Sequence, residues 1–181
     1  AYKEGSSTPI YKAKKVAVVG GGNVAMDAAR SAKRLGADNV YIVYRRSEEE
    51  MPARLEEVHH AKEEGIIFKM LTNPIEVVGN DEGWVTGLTC VEMELGEPDA
   101  SGRRAPRPVE GKTETIAIDT MILAIGQAVD SSMFDCDKTR KNAIAYDRDT
   151  FMTGIPGVFA GGDCGNCGSD GVVDADYETV D

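Results

Sequence analysis

Val16-Ala17-Val18-Val19 is a short apolar run, mostly β-branched, that stops at Gly20-Gly21-Gly22. Such a run suits a parallel strand buried on both faces. The residues that follow, Gly20-x-Gly22-x-x-Ala25, have the spacing of a dinucleotide-binding turn with alanine in its third place. Each small residue answers a physical need. Gly20 permits the tight turn off the strand. Gly22 has no Cβ to hold a pyrophosphate away from the backbone, and Ala25 lets the next helix lie close on the sheet. The first N–H groups of that helix, with the positive end of its dipole, then face the phosphates. The competing reading is a strand, turn and helix without a ligand.

The context extends the motif. A helix pattern runs from Asn23 to Leu35, with Val24, Ala28, Ala32 and Leu35 on one face, and Gly36 ends it. A second apolar run, Val40-Tyr41-Ile42-Val43-Tyr44, completes β-α-β. The end of this second strand selects the cofactor. A site for NAD usually carries an acidic residue there for the ribose 2′-hydroxyl. Here Arg45, Arg46 and Ser47 follow Tyr44. Two guanidiniums and a hydroxyl suit a 2′-phosphate, through charge-assisted and bidentate hydrogen bonds. The expectation is NADP(H) in preference to NAD(H); the competing reading is a pair of solvated arginines at a strand end.

The net charge of −11 argues against a nucleic-acid partner or an anionic membrane surface, and makes the Arg45-Arg46 pair stand out as a local anion site. No apolar run approaches a membrane span and no signal peptide is visible. Cys90, Cys136, Cys164 and Cys167 are too sparse for a disulfide scaffold, so a reducing cytoplasm is expected. The start at Ala1, without Met, suggests a processed or excised piece.

Residues 1–14 are polar and read as a lead-in or linker. Ser47 and Glu50 have capping-box spacing. Pro52 would break a helix begun at Ser47, so a loop is expected over Ser47–Met51 and a helix over Pro52–Glu64, closed by Gly65. His59 and His60 are adjacent, so they cannot both face one metal from a helix, and no metal site is expected. Ile66–Leu71 reads as a third parallel strand, broken by Thr72-Asn73-Pro74. Three antiparallel strands are then expected at Ile75–Val78, Val85–Leu95 and Lys112–Ile118, packed on the parallel sheet as a cap. Gly96 to Pro108 reads as a long connection. Its Arg103, Arg104 and Arg107 are either a docking patch or a solvated loop. Asp119–Gly126 is another apolar strand. Ala143–Tyr146 and Thr153–Asp163 follow before a Gly- and Asp-rich tail. The fold class is α/β: a Rossmann-like parallel sheet with flanking helices, plus an antiparallel three-stranded β-meander.

Four segments occur in an order that resembles the flavoproteins with two dinucleotide-binding domains, more narrowly the glutamate synthase small-chain family and NADPH:ferredoxin-type oxidoreductases. They are Val16–Arg30, Val43–Ala53, Met121–Gly126 and Gly157–Asp163. The resemblance implies an NADP(H)-binding domain over 15–127, inserted in an FAD-binding domain of which 128–181 is a returning stub. It implies that Gly20, Gly22, Asn23, Val24 and Ala25 hold the NADPH pyrophosphate, and that Arg45 and Arg46, with Ser47, hold the 2′-phosphate. Ala124 and Gly126 would line the nicotinamide end, and Gly162 and Asp163 would contact the flavin. The first half of an FAD domain and the iron–sulfur module of that family are missing here. FAD is therefore expected in the parent protein and not bound tightly by this chain, with the missing domain, module or subunits as partners.

Cys164-Gly165-Asn166-Cys167 has three readings: a redox disulfide, half of a zinc site, or two incidental cysteines in a Gly-rich tail. The expected function is the NADP(H)-binding domain of an oxidoreductase that moves hydride between NADPH and FAD. Both reactants are cofactors, so no catalytic residue is expected. The alternatives are a stand-alone nucleotide-binding, sensing or assembly module, and a small dehydrogenase acting on an organic substrate, for which no Tyr/Lys or His constellation is visible.

Overall fold

The computed structural model describes residues 11–98, 104–139 and 142–165. Residues 1–10 of the expected lead-in over 1–14, the tail after Gly165, Cys167 and Arg103 lie outside them. The chain divides into two compact units, 1–126 and 127–181.

The first unit is built on β1 (Lys15–Val19), which is buried from Val16 onward. It pairs in parallel with β2 (Asn39–Val43) on one side and, on the other, with the last strand of the unit, β7 (Thr120–Leu123). With β3 (Ile67–Lys69) the parallel sheet has the order β3-β2-β1-β7. Alternation sorts the β1 side chains by face. Val16 and Val18 join Val40 and Ile42 under the helices α1 (Asn23–Arg34) and α2 (Leu55–Glu63). Ala17 and Val19 join Val43 in a second core on the opposite face. Fully burying a side chain such as Ile42 or Met26 contributes about 1.5–3 kcal/mol, so both faces are strongly specified.

The face of α1 that the sheet buries is Ala25, Met26 and Ala29. The stripe Val24, Ala28, Ala32 and Leu35 is a different face. Val24 is 71% exposed and Leu35 36%, while Ala28, Ala32 and Leu35 line an apolar groove of about 300 Å³ with Ile122 and Tyr11. Ala25 and Ala29 let the helix axis approach the strands, and Ala28 and Ala32 pack at the margin of the same core.

Arg30 reaches Glu57 at 2.6 Å and Glu64 at 2.9 Å, and Arg34 reaches Glu64 at 2.5 Å, bracing α1 against α2. The Arg34 and then the Arg30 hydrogen bonds hold the Glu64 carboxyl down to about 2, from an ordinary 4.5. A carboxyl depressed in the folded state stabilises above its unfolded value, and that contribution is lost as pH falls toward the folded value. The difference in melting temperature between wild type and Glu64→Gln should therefore close between about pH 4.5 and pH 2. A difference that stays constant over that range contradicts the brace.

Helix α2 starts at Leu55 rather than at Pro52. The capping-box pair acts earlier than that: the Ser47 N–H and hydroxyl bond Glu50 at 3.1 and 2.5 Å, around a single 3-10 turn over Glu48–Glu50. Residues 52–54 then cross to the glycine turn instead of beginning the helix.

The antiparallel sheet has the expected three strands, in the order β4 (Thr72–Gly79), β5 (Val85–Pro98) and β6 (Arg104–Ala117). The strands are longer than expected, and β5 runs on to Pro98, into the expected connection. The chain reverses at Leu71, whose φ is +49°, so β4 begins at once and takes Pro74 into an edge strand beside a bulge. Strand β6 begins at Arg104, because Pro106 and Pro108 are tolerated on an outer strand whose register to β5 is broken by irregularities. Leu88, Cys90, Ile116 and Ile118 pack on Ala17, Val19 and Val43 as the expected cap. Burial pushes the Cys90 thiol up to about 11.

The described residues of the second unit form no regular strand. Isolated bridges join Lys138 to Ile144, Ile144 to Gly165, Tyr146 to Thr153 and Met152 to Phe159. Ala143, Ile144 and Ala160 are buried, with Ser131 donating to the Asn142 carbonyl at 2.6 Å. Gly162, at φ +65°, opens a 3-10 turn through Cys164.

Candidate functional site

The carboxyl ends of β1, β2 and β7 meet at the glycine turn. Gly20 has φ +143°, and a Cβ there would lie 2.3 Å from the Ala124 carbonyl oxygen, just beyond β7. Its N–H donates to the Val43 carbonyl at 3.1 Å, and the Ala124 N–H donates to Val19 at 2.8 Å. Gly20 is thus required by the closeness of two neighbouring strand ends as well as by its backbone angle. Gly21 occupies a position that the motif leaves free, yet a Cβ on it would meet the Tyr44 ring at 2.7 Å.

Gly22 differs from both. A Cβ built on it meets only Pro52 Cγ, at 4.0 Å. It is the N-cap of α1, and no side chain caps the helix. Its carbonyl accepts from the Ala25 and Met26 N–H groups at 3.0 and 3.2 Å. The Asn23 and Val24 N–H groups belong to the part of a helix that has no acceptor within the helix. Open space at Gly22 and these donors together fit a pyrophosphate.

A cross-chain clasp holds this turn. The Ala53 N–H donates to the Gly21 carbonyl at 3.1 Å and the Arg54 N–H to Asn23 Oδ1 at 2.9 Å. The Tyr44 hydroxyl donates to the Glu50 carbonyl at 2.8 Å. Asn23 therefore spends its side-chain oxygen on the start of α2, leaving its amide to donate. Gly21, Tyr44 and Ala53 are the functional neighbours that the motif does not name; the third consecutive glycine is the sequence signal for them.

Beyond β2, Arg45 is exposed and Arg46 half-buried. Neither has an ion pair among the described residues. Arg46 Nε is buried without a hydrogen-bond partner. The Arg46 backbone is fixed, since its carbonyl accepts from Leu71 at 3.0 Å. Of the three acids that follow Ser47, Glu50 has its oxygens engaged by Ser47 and by Arg104. Hydrogen bonding from Ser47, with the Arg104 guanidinium, holds the Glu50 carboxyl below the usual carboxylate range. Arg104 is thus part of an ion-pair cluster rather than of a solvated loop.

Ala124 lies against the glycine turn, followed by exposed Ile125 and by Gly126 at φ +91°. Gly162 and Asp163 belong to the second unit, in its 3-10 turn. Among the described residues no group of His, Cys, Asp or Glu could hold a metal ion. None of their helices is long and apolar enough to cross a membrane.

The β subunit of an NADP(+)-dependent formate dehydrogenase from Moorella thermoacetica is 50% identical over 157 residues, covering 86% of this chain and 22% of that protein. The NADPH glutamate synthase small chain of Escherichia coli K12 is 39% identical over 173 residues, covering 90% of this chain and 36% of that one. Thioredoxin reductase of T. acidophilum matches in fold, with a TM-score of 0.68 at 23% identity, over 86% of this chain and 46% of that chain. The chain thus spans less than half the length of each of these proteins. The sequence family described as pyridine nucleotide-disulphide oxidoreductase matches residues 3–178, which takes in both the glycine turn on β1 and the Gly162-Asp163 turn. On that match, the chain belongs to the pyridine nucleotide-disulphide oxidoreductase family.

Proposed function

We propose that this chain is the NADP(H)-binding part of a flavin-dependent oxidoreductase of the glutamate synthase small-chain type. The observation that carries the reading is a helix start without a side-chain cap, opened by Gly22 at the end of β1, together with two arginines at the end of β2 that have no ion pair among the described residues. The Moorella and Escherichia relatives, an NADP(+)-dependent formate dehydrogenase subunit and an NADPH glutamate synthase small chain, support it.

In this reading Gly20, Gly22 and Ala25 shape the turn, and the Asn23 and Val24 N–H groups bind the pyrophosphate. Arg45 and Arg46 bind the 2′-phosphate, with Ser47 beside them. Ala124 and Gly126 border the nicotinamide end. NADPH, when bound, supplies a hydride; this chain's residues supply position and charge. FAD belongs to the reading through Gly162 and Asp163, two residues that are too few to make a flavin site by themselves. The partners are an FAD domain and an iron–sulfur module or further subunits. The sparse cysteines favour a reducing cytoplasmic compartment.

Immobilised 2′,5′-ADP tests the reading. The chain should be retained and released by NADPH at concentrations where NADH fails. Passage without retention contradicts it. The purified chain should also be colourless; a flavin absorbance band would overturn the expectation that it does not hold FAD tightly.

A further inference from the structure

Arg104 opens β6, more than fifty residues beyond the β2 end, yet it grips the segment that follows the arginine pair. Its Nε donates to Glu50 Oε1 at 2.7 Å, and its second nitrogen reaches Glu49 at 3.3 Å. The two contacts are unequal. Glu49 is 84% exposed, and a pair with it is worth little. Glu50 is only 16% exposed, and its other oxygen takes both the N–H and the hydroxyl of Ser47. The Glu50 carboxylate is therefore a bridge, with Arg104 on one side and, on the other, the residue adjoining Arg46. Further bonds leave the segment little freedom: the Arg46 carbonyl accepts from Leu71, and Glu48 pairs with Lys62 at 2.5 Å.

Two physical consequences follow from removing Arg104. Glu50 would carry an uncompensated negative charge close to the place where a phosphate dianion is to sit, and like charges oppose each other strongly in a partly desolvated site. The turn that carries Ser47 would also lose its anchor to the antiparallel sheet. The first effect, which is the larger, falls on a ligand with a 2′-phosphate and spares one with a 2′-hydroxyl.

We infer that Arg104 is a positioning residue that sets the preference for a nucleotide bearing a 2′-phosphate, by holding and neutralising Glu50 without touching the ligand. This rests on the assignment of Arg45 and Arg46 to that phosphate. The cap is then part of the specificity apparatus of the parallel sheet, not only its cover.

The test is a titration of NADPH and of NADH into the 181-residue chain and four variants, at one ionic strength. Arg104→Met should weaken NADPH about tenfold, the equivalent of one charge-assisted contact, and change NADH by less than about twofold. Arg104→Lys, which keeps the charge but not the fork, should fall between and serves where the Met variant does not fold. Adding Glu50→Gln to Arg104→Met should recover a good part of the NADPH loss, because a neutral amide no longer opposes the phosphate. A merely structural role predicts equal losses for both nucleotides and no recovery, and either result overturns the inference. The double variant Arg45→Ala/Arg46→Ala separates the two layers. If it loses the NADPH preference while Arg104→Met keeps it, the inference fails alone. If wild type has no preference, the assignment of the phosphate site fails and takes the inference with it.

Discussion

Gly20→Ala and Gly22→Ala, two residues apart, should fail in opposite ways. At Gly20 the added Cβ falls 2.3 Å from the Ala124 carbonyl at a backbone φ of +143°. Backbone strain and overpacking each cost about 1–3 kcal/mol. A loss of about 3 kcal/mol in a chain of this size lowers the melting midpoint by roughly 10 °C. At Gly22 the added Cβ meets nothing nearer than Pro52 Cγ at 4.0 Å, and φ is −92°. That variant should melt within a few degrees of wild type, about ±2 °C. Its NADPH affinity should fall by on the order of a hundredfold, since the methyl group stands where the pyrophosphate must approach the helix donors. Thermal melts and nucleotide titration on the same two samples check this. Equal melting losses, or normal NADPH binding by Gly22→Ala, would contradict the division of labour.

Removing the arginine pair should change selectivity rather than folding. Arg45 is exposed and Arg46 half-buried, and among the described residues neither has an ion pair to lose. Each guanidinium bond to a phosphate is charge-assisted and worth about 1.5–3 kcal/mol. Arg45→Ala/Arg46→Ala should therefore weaken NADPH by on the order of several hundredfold, and NADH by no more than about threefold. The NADPH loss should shrink as salt is raised, because both side chains stand near solvent. A similar loss for the two nucleotides would mean that the pair supports the loop and not a 2′-phosphate.

The sequence makes some parts of this molecule readable and hides others, and the difference is one of range. The β1 strand, the glycine spacing and the arginines after Tyr44 are local patterns, each contained in a few consecutive residues. The cap is legible as three strands because alternation and Asn80-Asp81-Glu82-Gly83 mark its first hairpin, whose turn closes on the Asn80 side chain. Its boundaries are not, because proline reads as a strand breaker while an edge strand tolerates it, as Pro74, Pro106 and Pro108 do. The start of α2 is misjudged for a related reason. The Ser47–Glu50 box caps one turn only, and Pro52 to Arg54 are drawn instead to Gly21 and Asn23. What holds the candidate site is the least visible part. The Tyr44 ring over Gly21, and Arg104 on Glu50, depend on which distant residues the fold brings together.

The most direct measurement is calorimetric titration of this chain with NADPH and, separately, with NADH. NADPH should bind saturably at one site per chain, with NADH at least about a hundredfold weaker, the share of two charge-assisted phosphate contacts. Equal affinity for both nucleotides would contradict the role given to Arg45 and Arg46, and no binding of either would contradict the site itself.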